Sequence, residues 1–163
     1  MASFDIVSKV DLQTLDNAVN VAVKEIGTRY DLRSSKTTVE LDKKAPNIRI
    51  ETDNEMNLKS IEDILLTRIV KQGLDGRCLD FSVDATPAGS RLRKDLKVRQ
   101  GLDKDQQRKV LKIIKDQYPK VTAQAMEDQV RVSSKKIDEL QAVIALLRRS
   151  VEEVPLQFVN MKS

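Results

Sequence analysis

The spacing of apolar residues along the chain predicts alternating strands and helices. Apolar residues three and four positions apart recur after Asp11, after Asn57, over residues 103–117 and after Ser134, which predicts four amphipathic helices. Asp11, Asn57 and Ser134 are the expected N-caps, because their side chains accept hydrogen bonds from the first free N–H groups. Alternation at every second residue predicts the strands FDIVS, TTVELD, NIRIETD, LDFSVDA, RLRKDLKVR, VTAQAM, QVRVSS and PLQFVN.

The order of these elements repeats after about 80 residues. NIRI aligns with QVRV, and SIEDILL aligns with ELQAVIALL. Each half then reads β-α-β-β-α-β, which is the ferredoxin-like split motif. The pattern therefore predicts an α+β protein of two tandem ferredoxin-like domains, each an antiparallel sheet with two helices on one face.

The composition indicates a globular protein with a heavily charged surface. Of the 163 residues, 40% are hydrophobic and 33% are charged. No apolar run approaches the roughly 18 residues that a membrane span requires, and the N-terminus lacks the pattern of a secretion signal. The single cysteine cannot form an intramolecular disulfide, which is typical of a reducing compartment. We expect a cytoplasmic protein with no membrane partner.

The missing residue types argue against an enzyme. The chain has no histidine, and its one cysteine, Cys78, precedes an apolar segment and is expected to be a buried structural thiol. No Walker loop, GxGxxG or GxSxG motif occurs. The carboxylate pairs Glu62-Asp63 and Glu152-Glu153 are adjacent in sequence and are expected on the solvated surface. We expect no catalysis, no metal site and no cofactor.

Positive charge is concentrated in one segment. Residues 87–120 contain 11 Lys and Arg residues against 4 acidic ones. Within RLRKDLKVR, alternation places Arg91, Arg93, Lys97 and Arg99 together on one face of a strand, with Asp95 among them. Such a row is typical of a phosphate-binding surface. The alternative is that the charges protect a sheet edge from aggregation.

Three stretches resemble the YajQ family of bacterial proteins: MASFDIVSKVDLQTLDNAV, RYDLRSSKTTVEL and KVLKIIKDQYPKVTAQAMEDQVRVSSKKIDELQAVIALLR. The resemblance covers essentially the whole chain, and SFDIVS and LQAVIALLR are its most specific parts. It is weaker in CLDFSVDATPAGSR and in RRSVEEVP. Cys78, Asp80 and Asp84 in the first of these segments therefore receive no family role.

The resemblance implies that the first strands of the two domains are exchanged. The first domain would comprise residues 11–99, including strand 91–99, and the second would comprise residues 100–163 plus strand 1–10. The resemblance also implies binding of a purine nucleotide or a cyclic dinucleotide, and some members act as effectors of cyclic di-GMP. It brings no catalytic motif.

The segment RYDLRSSK, residues 29–36, matches the family pattern and supplies the first candidate site. Arg29, Arg33 and Lys36 can meet phosphate, because guanidinium and ammonium groups form charge-assisted hydrogen bonds. The Tyr30 ring can stack on a base, and the Asp31 carboxylate can accept from a guanine edge. The alternative is that Tyr30 packs at the helix end and Asp31 pairs with Arg29 or Arg33.

A second candidate is Lys135-Lys136, which precedes the fourth helix, where backbone N–H groups favour an anion. Two other partners stay open. RNA is one, because RNA-recognition modules share the fold; but the few aromatic residues predict phosphate contacts of low specificity. The other is a transcription regulator, for which the chain would act as an adaptor.

Overall fold

The computed structural model describes residues 1–163 and contains eight strands, four α-helices and one short 3₁₀ turn. In chain order the elements are β1 (Ala2–Val7), α1 (Leu12–Thr28), β2 (Thr38–Asp42), β3 (Asn47–Thr52), α2 (Glu55–Lys71), the 3₁₀ turn (Gly76–Cys78), β4 (Thr86–Ala88), β5 (Arg91–Lys97), α3 (Lys104–Gln117), β6 (Thr122–Met126), β7 (Gln129–Ser134), α4 (Ile137–Ser150) and β8 (Gln157–Lys162).

The strands form two antiparallel four-stranded sheets, in the orders β2-β3-β5-β4 and β6-β7-β1-β8. In each sheet the first strand of one β-α-β-β-α-β repeat lies between the third and fourth strands of the other repeat. The predicted α+β fold with two ferredoxin-like sheets and exchanged first strands is thus confirmed. The chain divides into unit I (Val10–Arg99) and unit II (Met1–Lys9 with Gln100–Ser163).

Unit I buries one face of its sheet under α1 and α2. Inward positions of the strands alternate with polar positions, as in Val39 and Leu41 of β2 or Ile48 and Ile50 of β3. The helices contribute residues at spacings of three and four, which form one continuous core with the strands: Leu15, Ala18, Val19, Ala22 and Ile26 from α1, and Leu58, Ile61, Ile64, Leu65 and Ile69 from α2.

Unit II repeats this arrangement with β1 as a central strand. Phe4 and Ile6 of β1 are fully buried, and Phe4 packs edge to face on Phe158 with the ring centroids 5.9 Å apart. The core is completed by β7 and by the inward faces of α3 and α4: Val130, Val132, Val110, Ile114, Leu140, Val143 and Leu147.

The helix starts only partly follow the sequence prediction. Asp11 caps α1 as predicted, accepting from the N–H groups of Gln13 and Thr14. The prediction of Asn57 as the cap of α2 is wrong, because Asn54 is the cap and accepts from the N–H of Asn57 at 2.8 Å. The N-cap of α4 is Lys136 and not Ser134.

The predicted strand LDFSVDA is also wrong. Leu79 forms one isolated bridge to Val98, and the chain then turns because the Asp80 carboxylate accepts from the N–H of Ser82 at 3.0 Å. The strand begins later, at Thr86, and includes Pro87. A proline is tolerated there because β4 is an edge strand.

The basic strand β5 lies inside its sheet and pairs with β3 on one side and β4 on the other. This position rules out the interpretation of its charges as protection of a sheet edge. Lys94 lies on the core-facing side and is 7% exposed. Its ammonium group donates to Glu62 Oε1 at 2.8 Å and to the Phe81 carbonyl at 2.9 Å, so the buried charge is paired and ties segment 79–85 to α2 and β5.

Neither the length nor the hydropathy of any helix in the structure would suffice for a membrane crossing.

The exchange of β1 and β5 predicts opposite responses to two matched core substitutions. Phe4→Ala should lower the stability of unit II by about 3–5 kcal/mol and Leu96→Ala that of unit I by about 2–5 kcal/mol, because each removes a fully buried side chain. Native-state hydrogen exchange can assign the loss to α3 and α4 for the first variant, and to α1 and α2 for the second. The reverse assignment would contradict the exchanged topology.

Candidate functional site

The loop of residues 29–37 connects α1 to β2 and is held by its own hydrogen bonds. Leu32, which is 1% exposed, anchors the loop in the core of unit I. The Ser35 hydroxyl donates to the Leu32 carbonyl at 2.7 Å and is bonded to the Thr37 hydroxyl, which in turn is 3.0 Å from Thr52 Oγ1. The loop is therefore fixed at its base by a chain of hydroxyl groups that ends on β3.

The outer part of this loop presents an aromatic ring and two free cations. Tyr30 is 84% exposed, so it is not a packing residue of the helix end. The Arg33 guanidinium lies 5.1 Å from the centroid of the Tyr30 ring and makes no hydrogen bond or ion pair. The ammonium group of Lys36 likewise has no partner.

Two other residues of the predicted set neutralise each other. The Arg29 guanidinium donates to both carboxylate oxygens of Asp31, each at 3.0 Å. This local pairing is the alternative that the sequence left open for Asp31. Asp31 is thus already occupied, and Arg29 is neutralised beside it.

A cavity of about 330 Å³ opens beside the loop, between α1 and the edge strand β2. Its lining combines aliphatic side chains with hydroxyl groups and Arg33, and it reaches Glu40 of β2; the aliphatic residues are Val23, Ile26, Leu32 and Val39. Glu40 makes no hydrogen bond or ion pair, and the alternation along β2 places its side chain on the open face of the sheet, next to the cavity at the sheet edge. The sequence reasoning missed Glu40, and only its place in the middle of the edge strand β2 could have indicated it. We call the loop 29–37 with this cavity the loop site.

The ends of the basic row on β5 are engaged within unit I. The Arg91 guanidinium donates to the Lys36 carbonyl and lies 3.3 Å from Asp53 Oδ1, so it ties β5 to the end of the loop. At the other end, Arg99 Nη1 donates to the Arg77 carbonyl at 2.7 Å. Arg91 therefore belongs to the surroundings of the loop site, and Arg99 fixes the chain after β5.

The middle of the row lies in a field of balanced charge. Arg93 lies opposite Glu51 on β3 and 3.7 Å from Asp95, whereas the ammonium group of Lys97 has no partner. Alternation and cross-strand pairing place equal numbers of basic and acidic residues on this open face: Arg49, Arg91, Arg93 and Lys97 with Glu40, Asp42, Glu51 and Asp95. The row is thus not an isolated positive surface.

Lys135 and Lys136 lie in unit II, whereas the other nine predicted site residues lie in unit I. Both line a cavity of about 450 Å³ before α4, and neither ammonium group has a partner. The first turn of α4 already carries two acidic residues, Asp138 and Glu139, which complement the helix dipole. The loop site therefore combines more kinds of chemical group than the cavity at Lys135 and Lys136 does.

The structure defines the class of protein as a tandem ferredoxin-like α+β protein with exchanged strands. A family model described as "Nucleotide-binding protein YajQ-like" matches residues 2–162. A protein of Cytophaga hutchinsonii, named Nucleotide-binding protein, is 54% identical over 162 residues, which cover 99% of this chain and all of the relative. A relative of the same name from Nitratidesulfovibrio vulgaris is 44% identical over 163 residues, the full length of both chains. The chain belongs to the YajQ-like family, as its sequence resemblance predicted.

The remaining reactive side chain, Cys78, is buried as predicted, with 1% of its surface exposed. Burial, assisted by the nearby Asp75 carboxylate, raises the pKa of the Cys78 thiol to about 11. The thiolate is the reactive form, so the folded protein holds this cysteine in an unreactive state near neutral pH. No group of three or more Cys, Asp or Glu side chains in the structure is arranged to hold a metal ion.

We expect Cys78 to resist thiol reagents in the folded protein. At pH 8 the labelling rate should be at least about a hundredfold below that of the denatured chain, since both burial and the raised pKa oppose attack. Labelling with and without concentrated guanidinium chloride measures the ratio. Rates within about tenfold of each other would show that the thiol is accessible.

Proposed function

We propose that this chain binds a purine nucleotide at the loop site of unit I and acts as a binding protein without catalysis, with cyclic di-GMP as one candidate ligand. The observation that carries the proposal is Tyr30. Of the five aromatic residues in the chain it is the exposed one; it contacts Arg33, which lines the cavity, and it shares the loop with Lys36. Membership of a family named for nucleotide binding supports the same conclusion.

Each part of a nucleotide has a counterpart at the loop site. The exposed Tyr30 ring offers a stacking surface for a base. Arg33 and Lys36 supply positive charge for phosphates, and their free donors make no competing ion pair. Glu40, on the edge strand beside the cavity, has a carboxylate that would accept the N–H groups of a guanine edge by reaching around the sheet edge, the part that the sequence had given to Asp31.

The proposal includes a cytoplasmic location for the protein. The single buried thiol is in keeping with a reducing compartment such as the cytoplasm. RNA is a weaker candidate, because the open faces of both sheets carry charged and small side chains where RNA-recognition modules carry aromatic ones. If the chain acts as an adaptor, its partner would be a transcription regulator that responds to whether the chain has nucleotide bound.

Substitutions at the loop site should weaken nucleotide binding without unfolding the protein. Tyr30→Ala removes the stacking surface and should cost about 1–3 kcal/mol of binding free energy, or roughly 5- to 150-fold in affinity. Glu40→Gln should reduce binding of GTP and cyclic di-GMP more than that of ATP, because only guanine presents two N–H groups to a carboxylate. Titration calorimetry with these three ligands and a short single-stranded RNA measures both effects.

Met56→Ala is the matched control, since Met56 is an apolar residue of unit I that is 77% exposed and lies outside the loop site. It should leave all affinities unchanged. A second arm replaces Arg91, Arg93, Lys97 and Arg99 with Gln. If this variant loses binding and Tyr30→Ala does not, the ligand lies on the β5 row. An affinity for RNA with a log–log salt slope near −2.8 would then indicate four phosphate contacts.

A further inference from the structure

The open face of the unit II sheet contains a polar cavity that none of the predicted site residues touches. Its volume is about 330 Å³, and its walls come from the neighbouring strands β7, β1 and β8. Asp5 lies directly opposite Arg131, and Ser3 lies opposite Lys162. Asn160 completes the lining.

Asp5 is a buried carboxylate with both oxygens occupied. Its residue is 3% exposed; Oδ1 accepts from Arg131 Nε at 2.9 Å and Oδ2 accepts from Asn160 Nδ2 at 2.9 Å. The hydrogen bond from Arg131 holds the pKa of Asp5 below its ordinary value, against the effect of burial. Asp5 thus stays ionised at neutral pH, and each of its oxygens is held by one donor of the protein.

This contact fixes the Arg131 guanidinium by one edge. Its Nε is bound to Asp5, whereas its two terminal nitrogens have no partner in the protein. The Ser3 hydroxyl and the Lys162 ammonium group, which line the same cavity, are also without partners. Four donor groups of three side chains therefore line one cavity, and no free carboxylate competes with them.

A β-bulge builds this arrangement. The register between β1 and β8 shifts between Ser3 and Asp5, and Asn160 takes a left-handed conformation with φ 57°. Asparagine tolerates that conformation better than most residues. The bulge allows Asn160 to bond Asp5 while Lys162 still lies opposite Ser3.

Comparison with the corresponding positions of unit I shows which features of the cavity belong to unit II alone. In unit I, Asp95 and Arg49 occupy the positions of Asp5 and Arg131, and Arg49 Nε donates to Asp95 Oδ1 at 3.0 Å. The side chain of Asp95 is 41% exposed, because β4 begins only at Thr86, opposite Arg93, so no residue of β4 lies opposite Asp95 and the position of Lys162 is held by Thr86. The acid–arginine pair is thus common to both sheets, whereas the Asn160 hydrogen bond to the buried aspartate and the Ser3–Lys162 pair occur in unit II alone.

We propose that this cavity binds a phosphate group, with Arg131, Lys162 and Ser3 contacting its oxygens, and Asp5 and Asn160 as positioning residues. A fixed guanidinium presents two parallel N–H groups to an oxyanion. Further donors from Lys162 and Ser3 suit a group with at least three acceptor oxygens better than a carboxylate with two. The site stands on its own observations and does not depend on the loop site of unit I.

The test is a nuclear magnetic resonance titration of the ¹⁵N-labelled protein with inorganic phosphate, AMP and adenosine at constant ionic strength. Phosphate and AMP should shift the amides of β1, β7 and β8 and the Arg131 Nε resonance, whereas adenosine should not. Equal affinities for phosphate and AMP would identify free phosphate as the ligand, and an AMP affinity at least about tenfold higher would identify a nucleotide phosphate. Absence of these shifts with both ligands would overturn the proposal.

Lys162→Gln and Ser3→Ala keep the Asp5–Arg131 pair, so they test the site even if Arg131→Gln unfolds unit II. Lys162→Gln should lower phosphate affinity by about tenfold or more, as expected for one charge-assisted hydrogen bond. Arg49→Gln, the matched change in unit I, should leave the shifts in β1, β7 and β8 unchanged, and so should Tyr30→Ala. Unchanged phosphate binding by both Lys162→Gln and Ser3→Ala would refute the assignment.

Discussion

The structure depends on the main-chain pairing of two exchanged strands. β1 is hydrogen-bonded to β7 on one side and β8 on the other, and β5 is bonded in the same way to β3 and β4. Each of these strands also supplies fully buried side chains, Phe4 and Ile6 in one core and Leu96 in the other. Without the exchanged strand, either sheet would separate into a hairpin and a single strand. The core of that unit would also lose the buried side chains at its centre. Both units therefore require residues from both halves of the duplication.

The two repeats share the same sheet arrangement and differ in the loops and strand ends at its borders. Both open faces have an aspartate on the exchanged strand that pairs with an arginine on its neighbour, Asp5 with Arg131 and Asp95 with Arg49. This cross-strand pair fits any sheet built from the repeat, because directly opposite residues share a face. The differences arise at the borders of the sheet. Unit I has a long loop before β2, and unit II has a bulged final strand.

The charge distribution shows why a basic segment of sequence is not the same as a basic surface. Residues 87–120 are strongly positive, but the outward side chains of β5 lie beside acidic residues of β3 such as Glu51. Cations that make no hydrogen bond or ion pair also lie outside this segment, at Arg33, Lys36 and Lys162. In a sheet, the neighbouring strands decide the net charge around a side chain, and these neighbours come from distant parts of the chain.

The sequence by itself determined the features that depend on local periodicity and on the repeat. The four helices, most of the strands, the cap at Asp11 and the buried Cys78 follow from residue spacing and type, because these properties are fixed within a few residues. Tertiary structure decided the rest. It placed β5 inside a sheet, buried Lys94 against Glu62, and left Glu40 free where Asp31 is bound by Arg29. It also brought Ser3, Arg131 and Lys162 to one cavity. Strand pairing joins residues more than a hundred positions apart, and no local pattern encodes which partner satisfies a given hydrogen bond.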